Sequence, residues 1–418
     1  MTAKKHYTVA QVADLLSVSK QTVRNWDEAG KLKSLRNPSN DYRLYSEEQL
    51  KKFDKDGVFS QTSPSTRERS VRPFTVVELF AGAGGLALGL EKAGLKCLML
   101  NENDKHACAT LRLNRPKWNI IESDVAQVDF RPYVGADIVT GGFPCQAFSY
   151  AGKKLGFEDA RGTLFFEFAR AVKEIKPLMC IGENVRGLMQ HEGGRTLAGM
   201  ICVLDELGYR VLPPRILKAI FYRVPQKRER LLIVGIRKDI SLEYYFPKPL
   251  QAHFPLTDAL PKRKLYNCDV PASVGMHYAK RKSTILEKVP PGGYWRDLPL
   301  NLQKEYMKQS FYLGGGKTGM ARRMSWDEPC LTLTCSPAQK QTERCHPDET
   351  RPFTVREYAR IQTFPDTWSF AGPMTAQYKQ IGNAVPVNMA QEIGYSIISA
   401  LNAYCAANGR NPKHAAAL

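Results

Sequence analysis

Acidic residues are scarce relative to basic ones in this chain of 418 residues. It holds 41 Asp and Glu against 60 Lys and Arg, for a formal net charge of +19. This imbalance favours a polyanionic partner such as DNA, RNA or an anionic membrane surface. Merely soluble basic proteins share the property, so the charge narrows the function without fixing it.

Long apolar runs and paired cysteines are also missing. No run reaches the roughly 18 to 20 apolar residues that a membrane span needs, and the basic N-terminus lacks the apolar core of a signal peptide. We expect a cytoplasmic protein with no membrane partner. The ten cysteines include no Cys-x-x-Cys pair, and the spacing of Cys330, Cys335, Cys345 and His346 is not a usual zinc pattern. We therefore predict no metal site.

Residues 1–53 predict a small helical module. Apolar residues recur at helical spacing in residues 9–16, and a second helix is expected at 20–29, with Ser19 as its N-cap and Gly30 at its end. Two short helices joined by a tight turn form a helix-turn-helix, whose second helix can enter a major groove. A spacer or protein–protein module is the alternative. The polar residues placed to contact DNA are Lys20, Gln21, Thr22, Arg24 and, in the segment that follows, Arg43.

The turn-rich string NPSNDYRLY completes this module. Together with the YRLYSEE string it resembles the wing of the MerR regulator family, so we expect a winged helix-turn-helix. Residues 54–72 are polar and without periodicity, which predicts a linker.

A strand, a glycine turn, a helix and a second strand are predicted from FTVVELFAGAGGLALGLEKAGLKCLMLNEND, residues 74–104. Gly82, Gly84 and Ala87 fit the G-x-G-x-x-G/A pattern, and Glu102 follows Gly82 by 20 residues. Such glycines let the backbone approach a ligand, and the acid binds ribose hydroxyls. An ordinary tight turn could share this spelling, and both NAD and S-adenosylmethionine carry the adenosine that it would bind.

The stretch GGFPCQAFS, residues 141–149, directly follows a further predicted strand, ADIVTGG. Cys145 could be a buried structural thiol, a metal ligand or a nucleophile. Ligands of α/β sheets bind at the carboxyl ends of the strands, where a nucleophile is needed. Its position therefore favours the nucleophile.

Six motifs in order resemble the bacterial DNA cytosine-5 methyltransferase family over about residues 74–400. The resemblance implies a Rossmann-like α/β domain at residues 73–249 and 373–405, and a smaller, irregular, β-rich target-recognition domain at 250–372. The motifs are ELFAGAGG, GGFPCQAFS, ENV at 183–185, VPQKRERLLIVG at 224–235, RPFTVREYARIQTFPD at 351–366 and QIGNAVP at 380–386.

This resemblance implies covalent chemistry at Cys145. A thiolate added to carbon 6 of cytosine turns the ring into an enamine whose carbon 5 can attack a methyl group. Glu183 at ring nitrogen 3 and Arg230 at the ring oxygen would offset the charge that develops, and Arg228 would assist or position the site. A base that the sequence does not identify then removes the carbon 5 proton.

The implied cofactor is S-adenosylmethionine. By resemblance, Phe80 flanks the adenine, Glu102 binds the ribose, Asp124 reaches the adenine amine and Leu164 lines the pocket. One departure is visible, because Asn103 stands where many relatives carry Trp. The remaining residues assigned to the cofactor are Ala81, Gly82, Gly84, Gly85, Leu86, Val125, Asn383, Ala384 and Val385.

Duplex DNA is the implied partner, with the target base flipped out of the helix. We expect the loop after Cys145 to close over DNA, with Lys153 and Lys154 meeting phosphates. Groove contacts are expected from the recognition region. The candidates there are Arg322, Arg323, Lys340, Gln341, Thr342 and Arg344.

Other functions explain less of the sequence. A transcription factor with a degenerate enzyme domain would not need Cys145, Glu183, Arg228 and Arg230 together, and an RNA methyltransferase would not need a DNA-binding head. An amino-methylating enzyme would need a D/N-P-P-Y/F motif, which is absent, and a dehydrogenase would not explain PCQ. We expect this chain to be a monomer, with a cognate restriction endonuclease as its functional partner. We also expect its N-terminal domain to bind the promoter of its own gene.

Overall fold

A computed structural model describes residues 6–16, 18–37, 41–54, 67–144, 163–250, 253–261, 263–314 and 319–408. Cys145 and the loop lysines Lys153 and Lys154 lie outside these residues. Within them, no helix combines the length and apolarity needed to cross a membrane.

The N-terminal module forms as the sequence predicts. Its first helix starts from a capping box at Thr8, and its second begins where Ser19 Oγ accepts the Thr22 N–H at 2.9 Å. The three strands form a small antiparallel sheet in the order β1-β3-β2. The elements are β1 His6–Thr8, α1 Val9–Leu15, α2 Lys20–Glu28, β2 Leu35–Arg36, β3 Arg43–Ser46 and α3 Glu47–Lys51.

An eight-stranded mixed sheet is the centre of the molecule. Its order is β10-β12-β8-β7-β4-β5-β6, with β9 beside β12. The five strands from β8 to β6 are parallel, while β12, β10 and β9 pair antiparallel. The strands are β4 Thr75–Leu79, β5 Lys96–Glu102, β6 Ile120–Glu122, β7 Ile138–Gly141, β8 Met179–Val185, β9 Tyr209–Val211, β10 Arg215–Lys218 and β12 Glu229–Arg237.

The strand order reverses at β4, which has β5 on one side and β7 on the other. Chain connections leave this point in opposite directions, which opens a crevice at the carboxyl ends of the two strands. Phe80 follows β4 there, and residues 142–144, which lead to Cys145, follow β7. The fourth strand predicted for this sheet forms as β7, which ends at Gly141, while Cys145 itself lies outside the described residues.

Helices cover both faces of the sheet. Neighbouring residues Val76 and Val77 of β4 belong to different apolar clusters, as expected for a strand buried on both sides. Helix α4 approaches α12 closely, because a Cβ on Gly89 would lie 2.3 Å from the Ala390 Cβ. The helices are α4 Gly85–Ala93, α5 Lys105–Asn114, α6 Leu164–Ile175, α7 Arg195–Glu206, α11 Met374–Asn383 and α12 Val387–Asn408.

The region from 253 to 372 is irregular, as predicted, but the β-rich expectation needs correction. Its described residues contain one named strand, β13 Cys330–Leu331, paired with β11 Gln226–Lys227. In this region, buried side chains donate to backbone carbonyl oxygens, which in a sheet would accept from a neighbouring strand. The helices are α8 Lys280–Leu286, α9 Leu300–Met307 and α10 Val355–Ile361.

Two contacts fix the N-terminal part of the chain to the catalytic body. The buried Lys218 ammonium donates to the carbonyl oxygens of Asp14 and Leu15, at 2.8 and 2.5 Å, at the end of α1. At the end of the predicted linker, Arg72 donates to both carboxylate oxygens of Asp137, at 2.9 and 2.6 Å. The described end of the linker is therefore packed against the body.

Candidate active site

The turn after β4 brings main chain close to the crevice. Phe80 and Gly82 have left-handed φ values of 58° and 55°, and Gly84, at 81°, leads into α4. For Phe80 this backbone costs about 1–2 kcal/mol, a strain that clusters at functional sites. A Cβ on Gly85 would lie 2.3 Å from the carbonyl oxygen of Val385. The GAGG spelling therefore reflects close backbone packing as well as turn geometry.

Glu102, at the end of β5, is held by three backbone N–H groups. Its Oε2 accepts from Gly82 at 2.8 Å, and its Oε1 accepts from Asn103 and Asp104 at 2.9 and 2.8 Å. The carboxylate thus joins the glycine turn to the next strand. Each oxygen has lone pairs for further donors, as the hydroxyls of a ribose would require.

A cavity of about 720 Å³ opens at this crevice. Gly84 belongs to the glycine turn but does not line the cavity. The structure brings together the other twelve residues assigned to the cofactor, namely Phe80, Ala81, Gly82, Gly85, Leu86, Glu102, Asp124, Val125, Leu164, Asn383, Ala384 and Val385.

Glu78 is a lining residue to which the sequence analysis gave no role. It is 1 % exposed, and the Ala87 backbone N–H in α4 donates to its carboxyl group. Burial raises its pKa to about 8. Its Oε2 has no hydrogen-bond partner among the described atoms, so it can accept from a ligand. An acid inside the apolar strand TVVEL was the signal available in the sequence.

Glu183 and Arg230 form a close ion pair in the same cavity. They lie on the neighbouring antiparallel strands β8 and β12, and Arg230 Nε is 2.5 Å from Glu183 Oε1. Their side chains are only 13 % and 9 % exposed. A Cβ on Gly142 would lie 3.0 Å from Glu183 Oε2, so the turn after β7 also approaches this carboxyl. The pair and the turn that leads to Cys145 therefore share one end of the cavity.

Asn184 positions that turn. Its side chain is buried and its Nδ2 donates to the Phe143 carbonyl oxygen at 2.8 Å. Both Glu183 and Asn184 line the cavity, and the Asn184 amide is the one bonded to the backbone of the turn. The ENV motif contained Asn184, but its supporting contact depends on the pairing of β7 with β8.

Arg228 is a buried link rather than a lining residue of the cavity. Its guanidinium donates to the carbonyl oxygens of Leu333, Gly382 and Asn383, at 3.1, 2.8 and 3.3 Å. Burial lowers its pKa well below the ordinary value. By fixing the backbone at Asn383, it holds the returning end of the chain against the cavity.

Two predicted groove contacts need correction. Arg323 is 4 % exposed and donates to a set of backbone carbonyls, among them Val289 and Leu286. Arg344 is 6 % exposed and donates to Thr332 and Glu343 carbonyl oxygens. In the irregular region, both guanidinium groups thus donate to backbone carbonyl oxygens. Because they are buried in these contacts, they do not reach a DNA groove.

Arg43 and Lys20, two further candidates, are engaged within the protein. Arg43 pairs with Asp27 at 2.5 Å, and Lys20, at the start of α2, pairs with Glu328 of the recognition region at 3.4 Å. Arg322 and Lys340 are partly exposed beside the tyrosine rings of Tyr294 and Tyr306. Gln21, Arg24 and Gln341 are exposed, while Thr22 and Thr342 are half-buried.

Comparisons with known proteins agree with this geometry. The C-5 cytosine-specific DNA methylase family matches residues 74–399, and the MerR family of regulatory proteins matches residues 8–45. The chain is 62% identical to the Type II methyltransferase M.Eco47II of Escherichia coli, over 96% of this chain and 97% of that protein. It is 58% identical to the Type II methyltransferase M.PspPI of Psychrobacter, over 95% and 97%. A crystal structure of Spodoptera frugiperda DNMT2 shares the fold, at 15% identity and TM-score 0.56, over 78% of this chain and 99% of that one. The chain belongs to the C-5 cytosine-specific DNA methylase family.

Proposed function

We propose that Cys145, Glu183 and Arg230 perform methyl transfer to carbon 5 of cytosine at one specific sequence in duplex DNA. The supporting observation is the Glu183–Arg230 pair in the cavity that begins at the glycine turn. An acid and a guanidinium at one end of a cavity can contact a pyrimidine ring at two polar edges. The chain reaches Cys145 one residue after Pro144, which lines the same cavity.

The three side chains have complementary roles in this proposal. The Cys145 thiolate bonds to carbon 6, and the ring's electron pair shifts toward carbon 5 and nitrogen 3. Glu183 binds at nitrogen 3 and Arg230 at the ring oxygen, where negative charge develops. Carbon 5 would form the new bond to the methyl carbon while the bond from that carbon to the donor's sulfonium sulfur breaks, so that the donor leaves as a neutral thioether. Loss of the carbon 5 proton then expels Cys145 and restores the aromatic ring.

Enzymes of this family use S-adenosylmethionine, which supplies an electrophilic methyl group. The residues present fit such a group. Glu102 offers fixed acceptors for ribose hydroxyls, and the buried Oε2 of Glu78 accepts from a polar or cationic part of the ligand. We propose that Phe80 and Leu164 cover the adenine and that Asp124 accepts from its amine. Asn383 completes the site from the C-terminal side.

We further propose that the enzyme belongs to a Type II restriction–modification system with a cognate endonuclease, as the names of its relatives suggest. Incubation with duplex DNA and methyl-labelled S-adenosylmethionine, followed by bisulfite sequencing, tests the activity and the target together. Label at carbon 5 of cytosine in a single sequence context is expected. Label confined to RNA, or scattered without context, would contradict the proposal.

A second role for the N-terminal module is repression of the enzyme's own promoter. The MerR match and the exposed Gln21 and Arg24 on α2 support it. A reporter gene behind the native upstream DNA should be repressed by the full-length protein. The Gln21→Ala/Arg24→Ala variant should lose repression. Equal repression by both proteins would exclude the role of α2.

We also propose that the protein acts in the bacterial cytoplasm as a monomer. Light scattering of the purified chain, with and without a target duplex, should give one chain per complex. A stable mass of two chains would contradict the monomer.

A further inference from the structure

The N-terminal module does not extend away from the enzyme but packs beside its active site. Val12 and Leu15 of α1 belong to the same apolar cluster as Ile220 and Phe221 of the catalytic body. Lys218, 4 % exposed, binds the last carbonyls of α1. A contact made by apolar packing and a buried ammonium group fixes where the module lies.

A second groove of about 460 Å³ lies between α1 and the edge of the sheet. We call it the α1 groove. Residues 13, 14 and 18 of the module form one wall, and the ends of β8 and β12 form the other. Val185 and Arg230 line both this groove and the cavity of the active site. The α1 groove therefore continues from the place where the target cytosine binds.

The charge of the α1 groove is positive. Five of its lining side chains are basic and two are acidic. Arg186 and Lys227 are accessible, with side chains 43 % and 30 % exposed. Each faces one carboxylate, Glu229 at 3.0 Å and Asp14 at 3.6 Å. Lys218 and Arg228 are buried against carbonyl oxygens and Arg230 pairs with Glu183. Arg186 and Lys227 are therefore the lining cations that can exchange their carboxylate partners for the phosphates of a nucleic acid backbone, which need charge without base-specific geometry.

We propose that the α1 groove binds the sugar–phosphate backbone of the substrate duplex beside the cytosine being methylated, so that the N-terminal module forms one wall of the substrate site. The partner is the duplex that occupies the active site. The inference rests on the enzyme class and not on promoter repression. It gives the module a function in methylation that a detached regulatory head would not have.

Salt dependence of DNA binding measures these contacts. The logarithm of the association constant falls with the logarithm of salt concentration by about 0.9 per phosphate contact. For a duplex carrying the mapped target, the Arg186→Ala/Lys227→Ala variant should have a slope shallower by about 1.8. Lys96→Ala is the matched control, because Lys96 is exposed at the amino end of β5, which lies on the other side of β4 from β8 and β12. An equal slope for the double variant and the control would overturn the proposal.

Neutral phosphates locate the contact along the strand. Methylphosphonate linkages placed one at a time around the target cytosine should weaken binding of the unmodified protein at one or two positions. The double variant should be insensitive at those same positions. If it loses as much affinity there as the unmodified protein, these cations do not contact the backbone.

Val18 tests the wall that the module provides. It is partly buried and lines the α1 groove, so Val18→Lys and Val18→Glu lose the same packing but add opposite charges. Val18→Lys should steepen the salt slope by about 0.9, and Val18→Glu should weaken binding. Equal effects of both substitutions would show that the module does not face the substrate DNA, even in an enzyme that methylates normally.

Discussion

At the scale of single residues, the carboxyl of Glu78 has an environment unlike that of the other acids of the cavity. Three N–H groups donate to Glu102, whereas Glu78 is fully buried, and this burial raises its pKa from 4.5 to about 8. Desolvation penalises its charged form. The acid in the middle of β4 is therefore largely neutral at physiological pH, and its hydroxyl group can donate as well as accept.

The raised pKa of Glu78 predicts a specific pH dependence of stability. Between pH 4.5 and 8 the folded chain holds a proton that the unfolded chain has released, so stability falls as pH rises through this window. Glu78→Gln keeps an acceptor for Ala87 and removes the titration. The free energy of unfolding of this variant, relative to that of the unmodified protein, should rise between pH 5 and pH 8.5 by on the order of a few kcal/mol. Its thermal midpoint, measured against that of the unmodified protein, should rise over the same range. A difference that stays constant with pH would contradict this account.

The role of Cys145 is tested by replacing its sulfur. A serine hydroxyl is a far weaker nucleophile at neutral pH, so Cys145→Ser should lower kcat by roughly 10³-fold or more while DNA binding persists. Cys202→Ser is the matched control, because Cys202 is exposed on α7 and does not line the cavity. Single-turnover methylation with labelled cofactor measures both variants. Substantial turnover by Cys145→Ser would exclude the thiol as the nucleophile.

Residues of the cavity were predictable where their motifs encode local geometry. The glycine turn and the acid 20 residues later specify a βα unit, and the structure brings Gly82 and Glu102 into direct contact at 2.8 Å. Arg323 and Arg344 were not predictable in this way. Their basic character suggested DNA, but their carbonyl partners come from distant loops, which the local sequence does not reveal.

At the scale of elements, the strands around the crevice follow from apolar runs. The run predicted at residues 75–79 is β4 Thr75–Leu79, and helix α2 starts at its predicted N-cap. The secondary structure of the recognition region could not be predicted from apolar runs. It lacks periodicity, and its form depends on long-range contacts such as the parallel pairing of β13 with β11, about a hundred residues earlier.

The packing of α4 on α12 predicts the effect of a small substitution. Alanine in place of a helical glycine usually adds about 1 kcal/mol of stability. At Gly89, however, the new Cβ would lie 2.3 Å from Ala390 and 2.6 Å from the Val387 carbonyl oxygen. Overpacking of this kind costs about 1–3 kcal/mol, so we expect Gly89→Ala to lower the midpoint of thermal unfolding.

Gly314→Ala is the control for this steric argument. Gly314 is exposed, and nothing lies within 4 Å of a Cβ placed there. Its midpoint should stay close to that of the unmodified protein. An equal or higher midpoint for Gly89→Ala would mean that α4 and α12 can separate without cost.

At the scale of the whole molecule, the position of the N-terminal module was not available from the sequence. The composition of residues 54–72 predicted a linker and gave no indication of where the module lies. The structure instead ties the end of that segment to the sheet through Arg72 and Asp137, and ties α1 to β10 through Lys218. These partners are separated by tens to hundreds of residues, so no local pattern marks the interface. From the sequence alone, Lys218 would be expected at the surface, but in the fold it is a buried group that holds two elements together.

Lys218→Met tests whether this interface holds the module in place. The substitution keeps most of the side-chain length but leaves the carbonyl oxygens of Asp14 and Leu15 without their buried donor. Unpaired buried acceptors cost about 1–3 kcal/mol, which is large for a module of about 50 residues, because small domains bury little surface. Limited proteolysis should then cut between residues 54 and 72 faster than in the unmodified protein. Lys238→Met is the control, because Lys238 Nζ also donates to a carbonyl oxygen, that of Asp205, but is 46 % exposed. If both variants were cleaved at the same rate as the unmodified protein, apolar packing alone would hold the module, and the buried ammonium would be dispensable.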